Sequence, residues 1–223
     1  MALRALLIDA LGTTVRLLSP WERIDPALVI GLAPERVEAA FRVEMSHYAA
    51  HAHEAVDDDA LAGLRAECAA LLSRELGRAV GVEAMMDAIA FEAYRDARPA
   101  LEEIGALGLR RVCVSNWDYA LDDVLARVGL ADGFDAVLTS AAAGARKPDP
   151  AIFARALALV GCGAEEAIHV GDSDDDVDGA RAAGIEVLRI DRDGPGADLA
   201  SLAELAPRLA VMQPNGAIGE HPR

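Results

Sequence analysis

The stretch LIDALGTT, residues 7–14, joins a short apolar run to an acid at a turn. The run predicts a buried strand, and Asp9 stands at its carboxyl end, where the Gly-Thr turn leaves a carboxylate within reach of a substrate. Asp9 is therefore a candidate nucleophile. A nucleophile of this kind needs a partner that handles the proton, and the position two residues on, where a second acid would serve, holds Leu11.

Short runs rich in Val, Ile and Leu alternate with helix-length segments along the rest of the chain. The runs predict buried parallel strands at 4–9, 111–115, 135–139, 167–171 and 186–190. The segments predict helices at 99–107, 118–129, 150–160, 174–183 and 198–209. This alternation predicts the α/β class, with a doubly wound, Rossmann-like parallel sheet.

A long segment without a strand signal separates the first two predicted strands. Within it, a helical stripe is formed by Val37, Phe41, Met45, Tyr48 and Ala52. We predict a small all-helical cap domain over residues 16–96 and a core built from 1–15 and 97–212. Residues 213–223 have turn formers and no periodicity, so they are expected to form a flexible tail.

Composition excludes several classes of partner. The 223 residues are 53% hydrophobic, enough for one sizeable domain or a domain with an insertion, and carry a formal charge of -16, which repels nucleic acid and anionic membrane surfaces. No apolar run approaches the roughly 18 residues that cross a bilayer, and Asp9 interrupts the N-terminal run too early for a signal peptide, so a cytoplasmic location is expected. Cys68, Cys113 and Cys162 are expected to be buried free thiols.

Polar residues follow each predicted strand, and the carboxyl ends of parallel strands meet at one edge of a sheet. The candidates are Asp9, Thr13 and Thr14 after the first strand, Ser115 and Asn116 after the second, Lys147 after the third and Asp172 after the fourth. Each alone has an ordinary explanation, such as a turn, a helix cap or a solvated surface base. Their order along the chain favours one shared site.

Four motifs carry a resemblance to a known family: DALGTT (9–14), VSNWD (114–118), ARKPDPAIF (145–153) and HVGDSDDDVDGARAAG (169–184). In this order they resemble the haloacid dehalogenase superfamily of hydrolases over nearly the whole chain, with a helical cap inserted after the nucleophile loop. The resemblance implies that Asp9 attacks the substrate to form a covalent aspartyl intermediate, while Ser115 and Lys147 hold the transferring group. Thr13 and Asn116 are the candidate substrate-binding residues.

A carboxylate nucleophile repels an anionic phosphate, and Mg²⁺ would relieve that repulsion because it prefers oxygen ligands. The predicted magnesium ligands are the Asp9 carboxylate, the Leu11 backbone carbonyl and the Asp172 carboxylate, with Asp176 helping directly or through water. These residues predict a Mg²⁺-dependent phosphohydrolase of a small organic phosphate, acting as a monomer or homodimer. The expected partner is a small anionic molecule, with no nucleic acid and no membrane.

Leu11 departs from the phosphatase pattern, in which a second aspartate protonates the leaving group. True haloacid dehalogenases also lack that acid and need no cation, and their fourth loop resembles a neutral, Asn-bearing version. A 2-haloacid dehalogenase is therefore the first alternative. Here the fourth loop is acidic, and without a cation two carboxylates about 4 Å apart repel by about 1 to 4 kcal/mol. Phosphonatase-like relatives use a cap lysine, and residues 16–96 contain none. A catalytically weak homologue that binds a phosphometabolite or a protein is the remaining alternative.

Overall fold

The computed structural model describes residues 2–192, 194 and 196–212, so the predicted tail lies outside the described residues. The described strands are β1 (Ala5–Ile8), β2 (Val15–Leu17), β3 (Phe91–Ala93), β4 (Arg110–Ser115), β5 (Ala136–Thr139), β6 (Ala167–Gly171) and β7 (Glu186–Arg189). Five of them form one parallel sheet in the order β5-β4-β1-β6-β7. The predicted α/β fold with a parallel sheet is confirmed.

The described helices are α1 (Pro20–Arg23), α2 (Pro26–Val29), α3 (Pro34–His51), α4 (Asp58–Leu76), α5 (Val82–Ala88), α6 (Ala97–Ala106), α7 (Leu121–Arg127), α8 (Ser140–Ala143), α9 (Pro150–Val160), α10 (Asp174–Ala182) and α11 (Leu205–Met212). Side chains of β1 alternate between the two faces of the sheet. Leu6 and Ile8 pack with α6, α7 and α11, whereas Ala5 and Leu7 pack with α9 and α10. Helices cover both faces, which is why the strands are continuous apolar runs.

Two helices begin later than their patterns predict. The helix predicted at 118–129 begins at Leu121, because the Asp118 carboxylate accepts hydrogen bonds from the Ala120 amide at 2.7 Å and the Tyr48 hydroxyl at 2.8 Å. The helix predicted at 198–209 begins at Leu205. It is preceded by a bridge between Ile190 and Leu199 and a short 3₁₀ turn, Leu202–Glu204.

The segment between β1 and α6 carries helices α1 to α5 and also a two-stranded antiparallel ribbon. The prediction of no strand there is wrong, because β2 pairs with β3 with Leu17 opposite Phe91. Each strand of the ribbon has only three residues, too few to show an alternating pattern. The ribbon brings the two ends of the helical segment together beside the sheet.

Helices α3 and α4 are the main walls of a second hydrophobic cluster. Val37 and Phe41 of the predicted stripe are buried in it, and Cys68 faces them from α4. Met45 and Tyr48 are only half-buried, because they line a cavity of about 420 Å³ between these helices and the loops after β1 and β4. The division of the chain into residues 16–96 and the remainder stays a prediction.

The three cysteines are free thiols, as predicted, although Cys162 is half-buried rather than buried. Within the described ranges, no helix is both long and apolar enough to cross a lipid bilayer.

Candidate active site

Asp9 lies just after β1, the central strand of the sheet, and is 4% exposed. Its backbone amide donates to the Val170 carbonyl at 2.9 Å, and its carbonyl accepts from the Thr14 hydroxyl at 3.1 Å. From β1 the chain continues to β4 and β5 on one side of the sheet and then crosses to β6 and β7 on the other, so Asp9 stands at the point where the sheet order reverses. Ligands of doubly wound folds bind in this crevice.

Ser115 reaches Asp9 from the end of the neighbouring strand β4, and Lys147 reaches it from the loop between α8 and α9. The Ser115 hydroxyl donates to Asp9 Oδ1 at 2.9 Å, and Lys147 Nζ donates to the same oxygen at 2.6 Å. Lys147 is the only lysine of the chain, and it is 2% exposed. Its ammonium also donates to the Val114 carbonyl at 3.1 Å and to Asp176 Oδ1 at 2.5 Å. The structure therefore brings the three predicted catalytic residues into one hydrogen-bonded cluster.

Asp176 is placed by the start of α10. Ser173 caps this helix, and the Asp176 carboxylate accepts in return from the Ser173 amide at 3.2 Å and hydroxyl at 2.5 Å. On its other oxygen, Asp176 accepts from Lys147 and faces His169 Nε2 at 2.8 Å. These bonds use both carboxylate oxygens of Asp176, although this carboxylate also lies near those of Asp9 and Asp172.

His169 is a site residue that the sequence reasoning missed. It is fully buried in β6, and its ring meets the Phe153 ring edge-on at 4.9 Å. A histidine inside a buried strand needs a polar partner, and this requirement was the signal available in AIHVG, residues 167–171.

The two predicted substrate-binding residues have contacts within the protein. The Asn116 amide group donates to the Lys147 carbonyl at 3.0 Å and accepts from the Lys147 amide at 2.8 Å, so it fixes the backbone that carries the lysine. Thr13 is fully buried, and its hydroxyl lies beside Asp172 without forming a well-aligned hydrogen bond. Contact of either residue with a substrate stays a prediction.

The pKa values in the cluster follow from burial and charge. Burial raises the pKa of Asp9 to about 6; Lys147 opposes this rise, and Asp176 and Asp172 add to it. Burial alone would lower the pKa of Lys147, but Asp9 and Asp176 outweigh it and raise that pKa above its usual value. Burial also raises the pKa of Asp172, and the Asp176 charge raises it further. The charge of Lys147 therefore favours the ionised form of Asp9 and partly offsets the effect of burial.

Three carboxylates converge next to the lysine. One carboxylate oxygen from each of Asp9, Asp172 and Asp176 lies within 4.8 Å of the other two. Two glycines permit this closeness, because a Cβ on Gly12 would stand 2.2 Å from Asp172 Oδ2 and one on Gly171 would stand 2.2 Å from Asp176 Cγ. Gly12 also has a φ of +86°, which favours glycine. A cluster of carboxylates with one lysine fits a hard divalent cation.

The cavity described above opens beside this cluster. Leu11 and Asn116 line it, and each is close in sequence to a member of the cluster. The Leu11 side chain is 43% exposed, so this position faces open space. Trp117 both lines the cavity and packs against Phe91, with 5.1 Å between ring centroids.

Comparison with known proteins places these motifs in a family. A stretch of 79 residues is 51% identical to haloacid dehalogenase-like hydrolase domain-containing protein 3 of Bos taurus, covering 35% of this chain and 32% of that protein. A stretch of 128 residues is 35% identical to a protein named as a phosphatase from Mycobacterium tuberculosis, covering 54% of this chain and 59% of that protein. The chain thus matches about a third of the length of the first relative and under two thirds of the second.

The whole fold has a counterpart among solved structures. L-2-haloacid dehalogenase from Xanthobacter autotrophicus superposes with a TM-score of 0.72 over 94% of this chain and 99% of that chain, at 22% identity. At this identity the likeness shows the fold alone. The family of haloacid dehalogenase-like hydrolases matches residues 4–184, which include strands β1 to β6 and the loops that carry the cluster. The chain therefore belongs to the haloacid dehalogenase-like hydrolases.

Proposed function

We propose that this hydrolase is a Mg²⁺-dependent phosphohydrolase of a small organic phosphate, with Asp9 as its nucleophile. The observation that carries the proposal is the convergence of three carboxylate side chains and a buried lysine at the end of β1. Without a metal ion, Lys147 offsets only one of the three negative charges, so the cluster would repel a phosphate. The protein from Mycobacterium tuberculosis named as a phosphatase adds support.

Asp9 and Asp172 would hold the ion through their carboxylates and Leu11 through its backbone carbonyl. Asp176 would act mainly through Lys147, because its own oxygens already accept four hydrogen bonds. When bound, Mg²⁺ supplies positive charge that screens the acids from an anionic substrate.

Asp9 is oriented for attack. Ser115 and Lys147 both donate to Oδ1, and among the described residues none donates to Oδ2. Oδ2 would bond to phosphorus as the ester P–O bond breaks, and the departing alkoxide would take a proton from water. A water molecule would then attack phosphorus, releasing inorganic phosphate and the free Asp9 carboxylate.

Residues 16–96 would act as the cap over this site. The cavity lies between α3, α5 and the loops after β1 and β4, so it would receive the part of the substrate beyond the phosphate. Substrate size would then be limited by the helical segment rather than by the sheet.

The test is a screen of phosphate esters and short 2-haloacids, each with and without Mg²⁺. We expect phosphate release only with Mg²⁺, and at least about a thousandfold loss in Asp9→Asn, which removes the nucleophile while nearly keeping the shape. Asp174→Asn is the matched control, because Asp174 begins the same helix but its side chain is 81% exposed. Its activity should stay within about twofold of wild type.

Other outcomes would replace the proposal. Halide release from a 2-haloacid in excess chelator would make the chain a dehalogenase. Magnesium binding without either product would make it a binding protein. Asp9→Asn activity within about tenfold of wild type would remove Asp9 from its role.

Leu11 gives the proposal a second test. Because no acid stands there, wild type should cleave an activated aryl phosphate far faster than an alkyl phosphate. Leu11→Asp should raise alkyl phosphate turnover by up to about 10² to 10⁴, the usual contribution of a general acid. Since Leu11 is 43% exposed, the new carboxylate would remain hydrated and should not disturb folding. Equal wild-type rates for the two esters would mean that another group supplies the proton.

A further inference from the structure

A second buried acid lies outside the cluster, in the helical segment. Glu44 of α3 is 4% exposed and lies one turn from Tyr48 on the same helix. Its Oε2 is buried, and no residue in the described part of the chain donates a hydrogen bond to it. Acidic side chains are almost never this buried unless they are paired, because an unpaired buried carboxylate costs several kcal/mol.

The neighbours of Glu44 do not supply a strong donor. The Cys68 thiol points to it from α4, but a thiol donates only a weak hydrogen bond. His47 is near, but its Nε2 lies 3.2 Å from a different acid, Glu67. Arg65 lines the same cavity, yet the described residues include no ion pair between Arg65 and Glu44.

Glu44 is part of the wall of the cavity beside the active site. The rest of that wall is largely apolar and includes Leu11, Met45, Met85, Ile89, Phe91 and Trp117. One end of the cavity meets the catalytic loops at Leu11 and Asn116. A substrate with its phosphate at Asp9 would therefore extend an apolar body along this wall, and Glu44 offers it a carboxylate.

We propose that Glu44 determines specificity by binding a substrate ammonium group, so that the substrate is a phosphate ester whose apolar leaving group carries a protonated amine. This inference rests on the proposed function. An ammonium fits better than a neutral donor because a charge-assisted hydrogen bond is about twice as strong, and a second anion would be repelled. Burial raises the pKa of Glu44, and a bound cation would offset that cost.

The test uses pairs of esters that differ only in the replacement of NH₃⁺ by CH₃. The first pair is 4-(aminomethyl)phenyl and 4-ethylphenyl phosphate, and the second is 4-(2-aminoethyl)phenyl and 4-propylphenyl phosphate. At least one ammonium ester should show a kcat/KM at least about tenfold above that of its partner, the size expected for a hydrogen bond to a charged group. This comparison needs only the wild-type protein.

Glu44→Gln should bring the ratio of kcat/KM for the ammonium ester to kcat/KM for its alkyl partner to within about twofold of one. The matched control is Glu35→Gln, since Glu35 lies on the exposed side of the same helix and should keep the preference. Melting temperatures of both variants check that they are folded.

A binding measurement separates this inference from the proposed function. Calorimetry with 4-(2-aminoethyl)phenol and 4-propylphenol needs no turnover, and the amine should bind at least about tenfold more tightly to wild type but not to Glu44→Gln. Absence of phosphate release with this binding difference intact would overturn the phosphohydrolase and keep the ammonium site. The opposite result is phosphate release in which the paired esters differ in kcat/KM, and the paired phenols in affinity, by no more than about twofold. It would overturn the ammonium site and keep the phosphohydrolase.

Discussion

Two acids of this molecule are equally hidden from water but differ in their partners. Asp176 in the core is 1% exposed, and its oxygens are bonded to Lys147, His169 and Ser173. Glu44 in the helical segment is 4% exposed, and its Oε2 has no partner among the described residues. Burial alone would raise the pKa of both carboxyls. Lys147 and His169 reverse this for Asp176 and hold its pKa below the usual range, whereas the pKa of Glu44 remains raised.

The comparison shows that the effect of a buried charge on stability depends on its partners. A buried carboxylate with charged or hydrogen-bonding partners supports the fold, whereas one without them destabilises it. In the core, every member of the charged cluster depends on the others, so removal of one member leaves the rest uncompensated. In the helical segment, Glu44 has no ion-pair partner among the described residues, so its removal leaves no charge uncompensated. Mutations at the two places should therefore have opposite signs.

The largest effect is expected at the lysine. Lys147→Met shortens the side chain by only one atom but leaves Asp9 and Asp176 buried without their cation, so the free energy of unfolding should fall by about 3–5 kcal/mol. Urea denaturation without added metal measures it. Arg155→Met, at an exposed position on α9, is the control and should change that free energy by less than about 0.5 kcal/mol. If Lys147→Met lowers the free energy of unfolding by less than about 1 kcal/mol, the proposed difference between the core acids and Glu44 is wrong.

The next effect has the opposite sign. Glu44→Met replaces an unpaired buried acid by an apolar side chain of similar length, so the free energy of unfolding at pH 8 should rise by about 1–3 kcal/mol. The same urea experiment measures the gain. A destabilised Glu44→Met protein would show that Glu44 is satisfied in the folded state after all.

The pH dependence refines this comparison. The pKa of Glu44 is higher in the folded than in the unfolded chain. Its contribution to the free energy of unfolding is therefore fully present below the unfolded-state pKa of about 4.5 and is lost as pH rises through the folded-state pKa. The advantage of Glu44→Met over wild type should therefore shrink as pH falls from 8 towards 4.5. For Asp176 the sign is reversed, since its stabilisation is present above the unfolded pKa and is lost as pH falls. An advantage independent of pH would contradict the buried, ionisable state of Glu44.

The smallest effect serves as the exposed reference. Glu38 pairs with Arg42 at 2.6 Å on α3, and the arginine side chain is 64% exposed. Glu38→Gln should lower the free energy of unfolding by no more than about 0.5 kcal/mol, the usual value for a solvated i, i+4 pair. A loss as large as that of Lys147→Met would mean that burial is not what separates the two regions.

The sequence predicts the sheet and the cluster well because both leave strong local patterns. The strand runs are apolar since helices cover both faces, and Asp9, Ser115 and Lys147 follow strand ends that meet at one edge. Contacts made between distant segments leave no such pattern. The pairing of Leu17 with Phe91 depends on how the elements pack.

Glu44 shows most clearly what the sequence alone does not predict. It lies next to Met45, a member of the predicted apolar stripe, and looks like an ordinary acid on the border of an amphipathic helix. Only the packing of α4 against α3 reveals that it is enclosed and lacks a strong donor.

Lys147, the only lysine, makes the site open to chemical footprinting. An amine-directed acylating reagent has a single ε-amino target in this chain, and the folded protein keeps that target 2% exposed. Apart from the α-amino group, each acyl adduct seen by mass spectrometry therefore records one opening of the Asp9 cluster. The labelling rate therefore measures how often the Asp9 cluster opens to the reagent. It is read from the intact mass, without a substrate or a probe dye.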